Sequence, residues 1–201
     1  MKIYSLSRDL LNGVYYKSRA NVELSICTKN GVTESGFYAS SIHIGTHIDM
    51  PSHFGGRNKV VEPAVYEEHE VLVIDSHIVG LFKNVNKKVK LIIFNYDEEL
   101  VRSSDISYSS TFRSPDMNTL KVVLENCPNT QCVATTNLSI GSPVNSAENR
   151  AVHLYLLREK KINILEDIDM TNFRKKFKYI IIQPIKMGSA EACWASVSLL
   201  C

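Results

Sequence analysis

Three of the six histidines in the 201-residue chain fall within eleven positions, at His43, His47 and His53, and Asp49 stands between the last two. Neutral imidazole nitrogens beside a carboxylate suit Zn²⁺ or a similar divalent ion, and one carboxylate can bridge two ions. In an extended backbone, residues two apart share a face. His43, Gly45, His47 and Asp49 are then expected to point the same way, with Gly45 leaving space between the flanking ligands. Ile44, Thr46 and Ile48 face the other side, where β-branching of all three favours the extended chain. Pro51 forces a change of direction that leaves His53 near the cluster without obliging it to be a ligand, and a histidine so placed suits a proton carrier. Buried imidazoles beside a carboxylate are costly to desolvate unless something binds them, and a metal ion is the simplest such partner. His69 and His77, each alone in its segment, read as structural or surface groups.

Strand-like runs are expected to position this cluster. Residues 70–75, 90–95, 131–135, 179–183 and 195–200 are short, rich in β-branched residues and bounded by polar or turn residues. Several are too continuously apolar for a one-sided sheet, which predicts strands covered on both faces. Two helices are expected. The first takes Ser114 as N-cap and Pro115 as first helical residue, carries Met117, Leu120 and Leu124 on one face, and stops before Pro128. The second begins after Pro143 and runs to about Lys160, with Ala147, Ala151, Leu154 and Tyr155 along its buried stripe. The fold class is strand-rich α/β, a mixed sheet with two main helices, in one domain spanning residues 1–201.

Twenty-three basic and 21 acidic side chains leave a net charge of +2, too weak a field to argue for nucleic acid or membrane as partner. A small-molecule substrate fits better. Residues 174–178, the one basic cluster, precede an apolar strand and read as a solvated turn. The first nine residues carry charges where a signal peptide needs an apolar stretch, and no run approaches the roughly 18 apolar residues that span a bilayer. The five cysteines are scattered, with no C-x-x-C spacing, so neither a disulfide framework nor a cysteine zinc site is expected. These features together predict a cytoplasmic protein with reduced thiols.

Residues 43–54, His-Ile-Gly-Thr-His-Ile-Asp-Met-Pro-Ser-His-Phe, resemble the H-x-G-T-H-x-D-x-P-x-H-F signature of the cyclase family, which includes bacterial kynurenine formamidase, isatin hydrolase and related metal-dependent hydrolases. Residues 153–157, beginning at His153, and 162–166, ending at Glu166, are similar to the family's later H-x-x-L-L segment and apolar strand ending in glutamate. The resemblance implies that His153 and Glu166 complete the site. Asp49 would bridge two ions, held by His43 and His47 on one side and by His153 and Glu166 on the other. It implies one or two Zn²⁺ or Mn²⁺ ions and hydrolysis of an amide, formamide or lactam, arylformamidase being the family's best-known activity. His53 would pass a proton to the leaving nitrogen. It further implies a swivelling β/β/α domain assembled as a homodimer or homotetramer.

Three departures bear on this expectation. Residues 10–25 lack the prolines usual in the family, so the substrate is left unassigned. Where many members read G-I-D-x-x-S, this chain has Ala134-Thr135-Thr136-Asn137-Leu138-Ser139 and no acid. That loss keeps open a second reading, a metal-holding small-molecule-binding or assembly protein without catalysis. Finally, the His153 to Glu166 interval is one residue longer than usual. Inside a helix, one residue would rotate His153 by about 100°.

Overall fold

The apolar runs read from the sequence become strands because each is buried on one or both faces. In a computed structural model the structure describes residues 1–8, 22–39, 41–55, 62–75, 86–96, 111–188 and 190–201. In chain order the elements are β1 (Ile3–Ser5), β2 (Val22–Lys29), β3 (Val32–Ala39), β4 (His47–Asp49), β5 (Ala64–Glu67), β6 (Val71–Asp75), β7 (Leu91–Asn95), α1 (Met117–Asn126), β8 (Cys132–Thr135), α2 (Ser146–His153), β9 (Asn163–Glu166), β10 (Tyr179–Pro184) and β11 (Ala192–Leu200). Among the described residues, nine strands form one sheet in the order β5-β10-β11-β4-β9-β8-β7-β6, with β1 also on β11; β2 and β3 form a separate hairpin. Strands β6 to β9 are parallel to one another and the remaining pairs are antiparallel, so the sheet is mixed.

Alternation along the central strands sends side chains into two cores. Leu91 and Ile93 of β7, Cys132 and Ala134 of β8 and Leu165 of β9 join Leu6, Ile48, Ile180, Val197 and Leu199 on one face. Ile92, Phe94, Val133 and Ile164 pack on the other face against Leu120, Val123 and Leu124 of α1 and Val152, Leu156 and Leu157 of the second helical segment. The expected two-sided burial is therefore present. Filling each such position with a fully buried aliphatic or aromatic side chain contributes about 1.5–3 kcal/mol. A sheet of this type, together with two main helices, is the strand-rich α/β architecture expected from the sequence.

The helix boundaries differ from the expectation. Helix α1 is capped by Asp116, whose carboxylate accepts from the Thr119 N–H at 2.7 Å, and not by Ser114. The Ser114 hydroxyl instead accepts from the Gly141 N–H, a long-range bond that the local pattern does not reveal. Helix α2 begins after Pro143 as expected, with Asn145 as its cap. Its buried positions are Val152 and His153, followed by Leu156 and Leu157, whereas Ala147 and Ala151 are exposed and Leu154 and Tyr155 are half-buried. From Leu154 to Lys160 the helix widens to π geometry and ends at Lys161 with a left-handed φ of 58°. An i→i+5 turn holds one more residue than an α turn. The π stretch thus gives the interval between His153 and Glu166 room for one extra residue after His153.

Residues 174–176 are exposed ahead of buried Phe177, as expected of a solvated turn. His69 is surface-exposed and 3.3 Å from the Glu67 carboxylate, while His77 lies outside the described residues, as does most of the proline-free segment 10–25. No described helix is long and apolar enough to cross a membrane.

Cys127, Cys132 and Cys193 are buried and Cys27 and Cys201 exposed, and burial pushes the Cys132 thiol up to about 12. Thiol titration with DTNB is expected to count two fast-reacting cysteines in the native protein and all five after unfolding. Rapid reaction of a third native thiol would contradict this packing.

Candidate metal centre

Strand β4 lies between β11 and β9, and the register places His47 directly across from Glu166 and Asp49 across from Ala192. Cross-strand partners sit about 5 Å apart at Cβ, which brings an imidazole and a glutamate together at their tips. His47 and Asp49, two apart, share one face of β4 while Ile48 enters the core on the other. After Asp49, Pro51 opens a short 3-10 turn, Pro51–Phe54, in which the His53 N–H donates to the Met50 carbonyl at 2.9 Å. That turn folds His53 back over Asp49. His153 arrives from the end of α2, across the sheet from the strands.

The segment before β4 is not extended as expected. Gly45 has a φ of +65°, so the chain bends there and only His47–Asp49 is strand. Glycine suits this position because it adopts the left-handed backbone without strain. The bend carries His43 beside Asp49 even though the alternation that predicted their neighbourhood does not hold.

Five donors converge. Asp49 Oδ1 lies 3.1 Å from His43 Nδ1 and 3.6 Å from His47 Nε2, and Asp49 Oδ2 lies 3.6 Å from His153 Nε2. Glu166 likewise divides its oxygens, Oε2 lying 3.3 Å from His47 Nε2 and Oε1 3.3 Å from His153 Nε2. The structure thus brings together all five residues expected at the ion site. Asp49 faces His43 and His47 with one oxygen and His153 with the other, and Glu166 reaches His47 as well as His153, so the two expected sides share it. His53 stands at the rim, its Nε2 4.0 Å from Asp49 Oδ2.

These spacings fit an ion. With bonds of about 2.0 Å, ligand atoms around a tetrahedral divalent metal sit about 3.3 Å apart. His47 Nε2 and Asp49 Oδ1 are buried and make no hydrogen bond, although each has a polar neighbour within 3.6 Å. The atoms point at a common volume and not along the lines that would bond them to each other. An unpaired buried polar atom costs about 1–3 kcal/mol, so two in one cluster call for a partner between them. His43, Asp49 and His53 form one group able to hold an ion, and His47, Asp49 and Glu166 another.

Surrounding groups fix the donors. His47 Nδ1 donates to the Gly45 carbonyl and His153 Nδ1 to the Asn149 carbonyl, each at 2.8 Å, which turns both Nε2 atoms toward the cluster. Glu166 Oε1 accepts from the Ser139 hydroxyl at 3.1 Å and the Ile140 N–H at 2.7 Å. Asn149 and Glu191 carry no signal in the sequence: Asn149 acts through its main-chain carbonyl, and Glu191 lies 148 positions from His43. Thr136, where the motif resembled by residues 134–139 has its acid, is buried, and its hydroxyl accepts from the Tyr96 N–H at 3.1 Å.

Electrostatics follow from burial among carboxylates. Burial alone lowers the His43 imidazole, but Asp49 outweighs it and raises the pKa from 6.5 to about 9. His47 and His153 are raised in the same way against their burial, chiefly by Glu166. Burial works against an ionised Glu166, yet His153 and His47 hold it well below the usual carboxylate range. His53 goes the other way: burial lowers it, Asp49 offsets only part, and His43 and His153 add repulsion.

Gly141 follows Ile140 with a φ of +107°, and a Cβ there would lie 2.9 Å from the Asn149 Cα. Gly141→Ala is expected to push α2 outward, at a cost of about 1–3 kcal/mol, and to weaken divalent-ion binding through His153. Melting curves with and without added Zn²⁺ check both effects; a wild-type response to the ion would contradict the coupling.

No family model matches the sequence, and no curated protein matches it either. The fold is similar to that of a predicted metal-dependent hydrolase from Bacillus stearothermophilus, with a TM-score of 0.67 at 16% identity over 98% of this chain and 97% of the other. It is equally similar to a protein described as a potential metal-dependent hydrolase with cyclase activity, with a TM-score of 0.66 at 16% identity over 98% of each chain. Identities this low establish a shared fold, which spans the whole of both chains.

Proposed function

We propose that this protein is a metal-dependent hydrolase acting on a C–N bond of a small amide, formamide or lactam, in the manner of the arylformamidases. The observation that carries the reading is the cluster itself: His43, His47, Asp49, His153 and Glu166 converge at ion-ligand spacing around the unbonded His47 Nε2 and Asp49 Oδ1. The descriptions of the two similar structures support it. When bound, one or two Zn²⁺ or Mn²⁺ ions supply Lewis acidity and hydroxide at neutral pH. His43, His47, Asp49, His153 and Glu166 would hold them. His53, half-buried at the rim with a lowered pKa, is neutral near pH 7 and free to take a proton from the attacking water and return it to the leaving nitrogen.

Elemental analysis of the purified protein, followed by an amide and formamide hydrolysis screen with added Zn²⁺ or Mn²⁺, tests the reading. An ion-free protein that gains no activity from either metal would refute it. A metal-holding binder without catalysis is the alternative from a different class. Its motive, the missing acid at Thr136, weakens because the Thr136 hydroxyl is engaged by the Tyr96 N–H.

We treat the chain as one domain, since β1 and β11 from its two ends pair with each other. We also infer assembly with further copies as a homodimer or homotetramer. The β2–β3 hairpin pairs with no other strand among the described residues and exposes Ile26, Phe37 and Tyr38, and a lone hairpin is marginal in water. Light scattering is expected to give a mass of two or four chains, and a monomer at micromolar concentration would exclude this.

A further inference from the structure

Each imidazole that faces the cluster turns one nitrogen inward and ties the other. His47 and His153 turn Nε2 inward and give Nδ1–H to a main-chain carbonyl. His43 does the reverse. Its Nδ1 faces Asp49 Oδ1 at 3.1 Å, and its Nε2 lies 3.2 Å from Glu191 Oε1. A carboxylate only accepts, so Nε2 must keep its proton to meet Glu191, and the nitrogen left to give up its proton to an ion is Nδ1.

We propose that Glu191 is a positioning residue for the metal centre: it fixes the Nδ1-facing orientation of His43 and, being charged, makes His43 a more electron-rich ligand than its carbonyl-bonded neighbours. The inference rests on the metal-dependent reading above. The backbone is built for the contact. The Met50 N–H donates to the Glu191 carbonyl at 3.0 Å, and the next residue, Ala192, is the register partner of Asp49. Glu191 is thereby held one step from the carboxylate that His43 must face. Its side chain is 45% exposed, and a partly exposed ion pair contributes little to folding, so the contact is better explained by what it does to His43 than by stability. A carboxylate behind a ligating imidazole sets its tautomer and ring direction and raises its basicity.

The test compares Glu191→Ala and Glu191→Gln with wild type by Zn²⁺ competition against a chelator and by ¹⁵N spectra of histidine-labelled, Zn²⁺-loaded protein. Glu191→Ala is expected to bind Zn²⁺ roughly 10- to 100-fold more weakly, the usual effect of removing such a partner. Its His43 Nε2–H signal should be lost to solvent exchange. Glu191→Gln still offers an oxygen to Nε2–H, so the signal should persist and the affinity fall between the two. Should Glu191→Ala fail to fold, the Gln variant decides alone, by a protected Nε2–H and reduced affinity. Wild-type affinity in both variants, or a His43 Nε2–H equally protected without Glu191, would overturn the inference. A wild-type protein that binds no Zn²⁺ would instead overturn the metal-dependent reading itself, so the two failures are told apart.

Discussion

Replacing His53 by alanine is expected to cut hydrolysis of an aryl formamide or related amide by roughly 10²- to 10⁴-fold while leaving the metal content unchanged. The separation follows from geometry. Each of the five inner groups lies 3.1–3.6 Å from at least one other, whereas His53 Nε2 is 4.0 Å from Asp49 Oδ2 and its side chain is 27% exposed. Burial and the neighbouring imidazoles keep it neutral, the form that can accept a proton. Steady-state rates paired with elemental analysis of the same preparation read out both halves. Loss of metal together with activity would move His53 among the ligands, and unchanged turnover would remove it from the reaction.

A second large effect is expected from pH. Without metal, His43 titrates near 9 and the neighbouring carboxylates raise His47 and His153 as well, so at pH 7 His43 holds a proton that an ion must displace. Metal affinity should therefore rise between pH 6 and 9 by about tenfold per pH unit for each proton released. Stability of the metal-free protein should move oppositely. For a group raised on folding, the contribution is fully present below the ordinary value near 6.5 and is lost as pH rises through the folded value, about 9 for His43. Calorimetry in buffers of different ionisation heat counts the protons, and melting curves across pH 6.5 to 9 follow the metal-free protein. A pH-independent affinity would mean that the imidazoles are already neutral.

Strands β6, β7, β8, β10 and β11 are legible in the sequence because burial on two faces, or one, writes itself as apolar runs. The residues of the centre are legible where they crowd together, from His43 to His53, and by resemblance at His153 and Glu166. Other features are settled by contacts that no local window contains. Ser114 looks like a helix cap until Gly141 claims its hydroxyl, and Asp116 then caps α1. Alanines carry a weak signal of burial, which is why Ala147 and Ala151 were placed on the wrong face of α2. The π-helical stretch then breaks the 3.6-residue period beyond His153, so Leu156 and Leu157 are buried where Leu154 and Tyr155 were expected. Glu191 lies 148 positions from its partner His43 and is brought to it by the pairing of β4 with β11.

The order of the main sheet has a consequence for behaviour in a crowded solution. Strands β5 and β6 are its two end strands, yet they are consecutive in sequence and joined by the Glu68–Glu70 turn. Four residue steps span at most about 14 Å, so the two ends of the sheet are drawn toward each other. The turn is pinned by the Glu67 N–H donating to the Glu70 carboxylate and by the Lys90 ion pair with Glu70. Little open edge is left at that end for a foreign strand to lengthen the sheet. The β2–β3 hairpin, which pairs with no strand of the main sheet among the described residues and bears Ile26, Val32 and Tyr38 outward, is where edge-to-edge aggregation would begin.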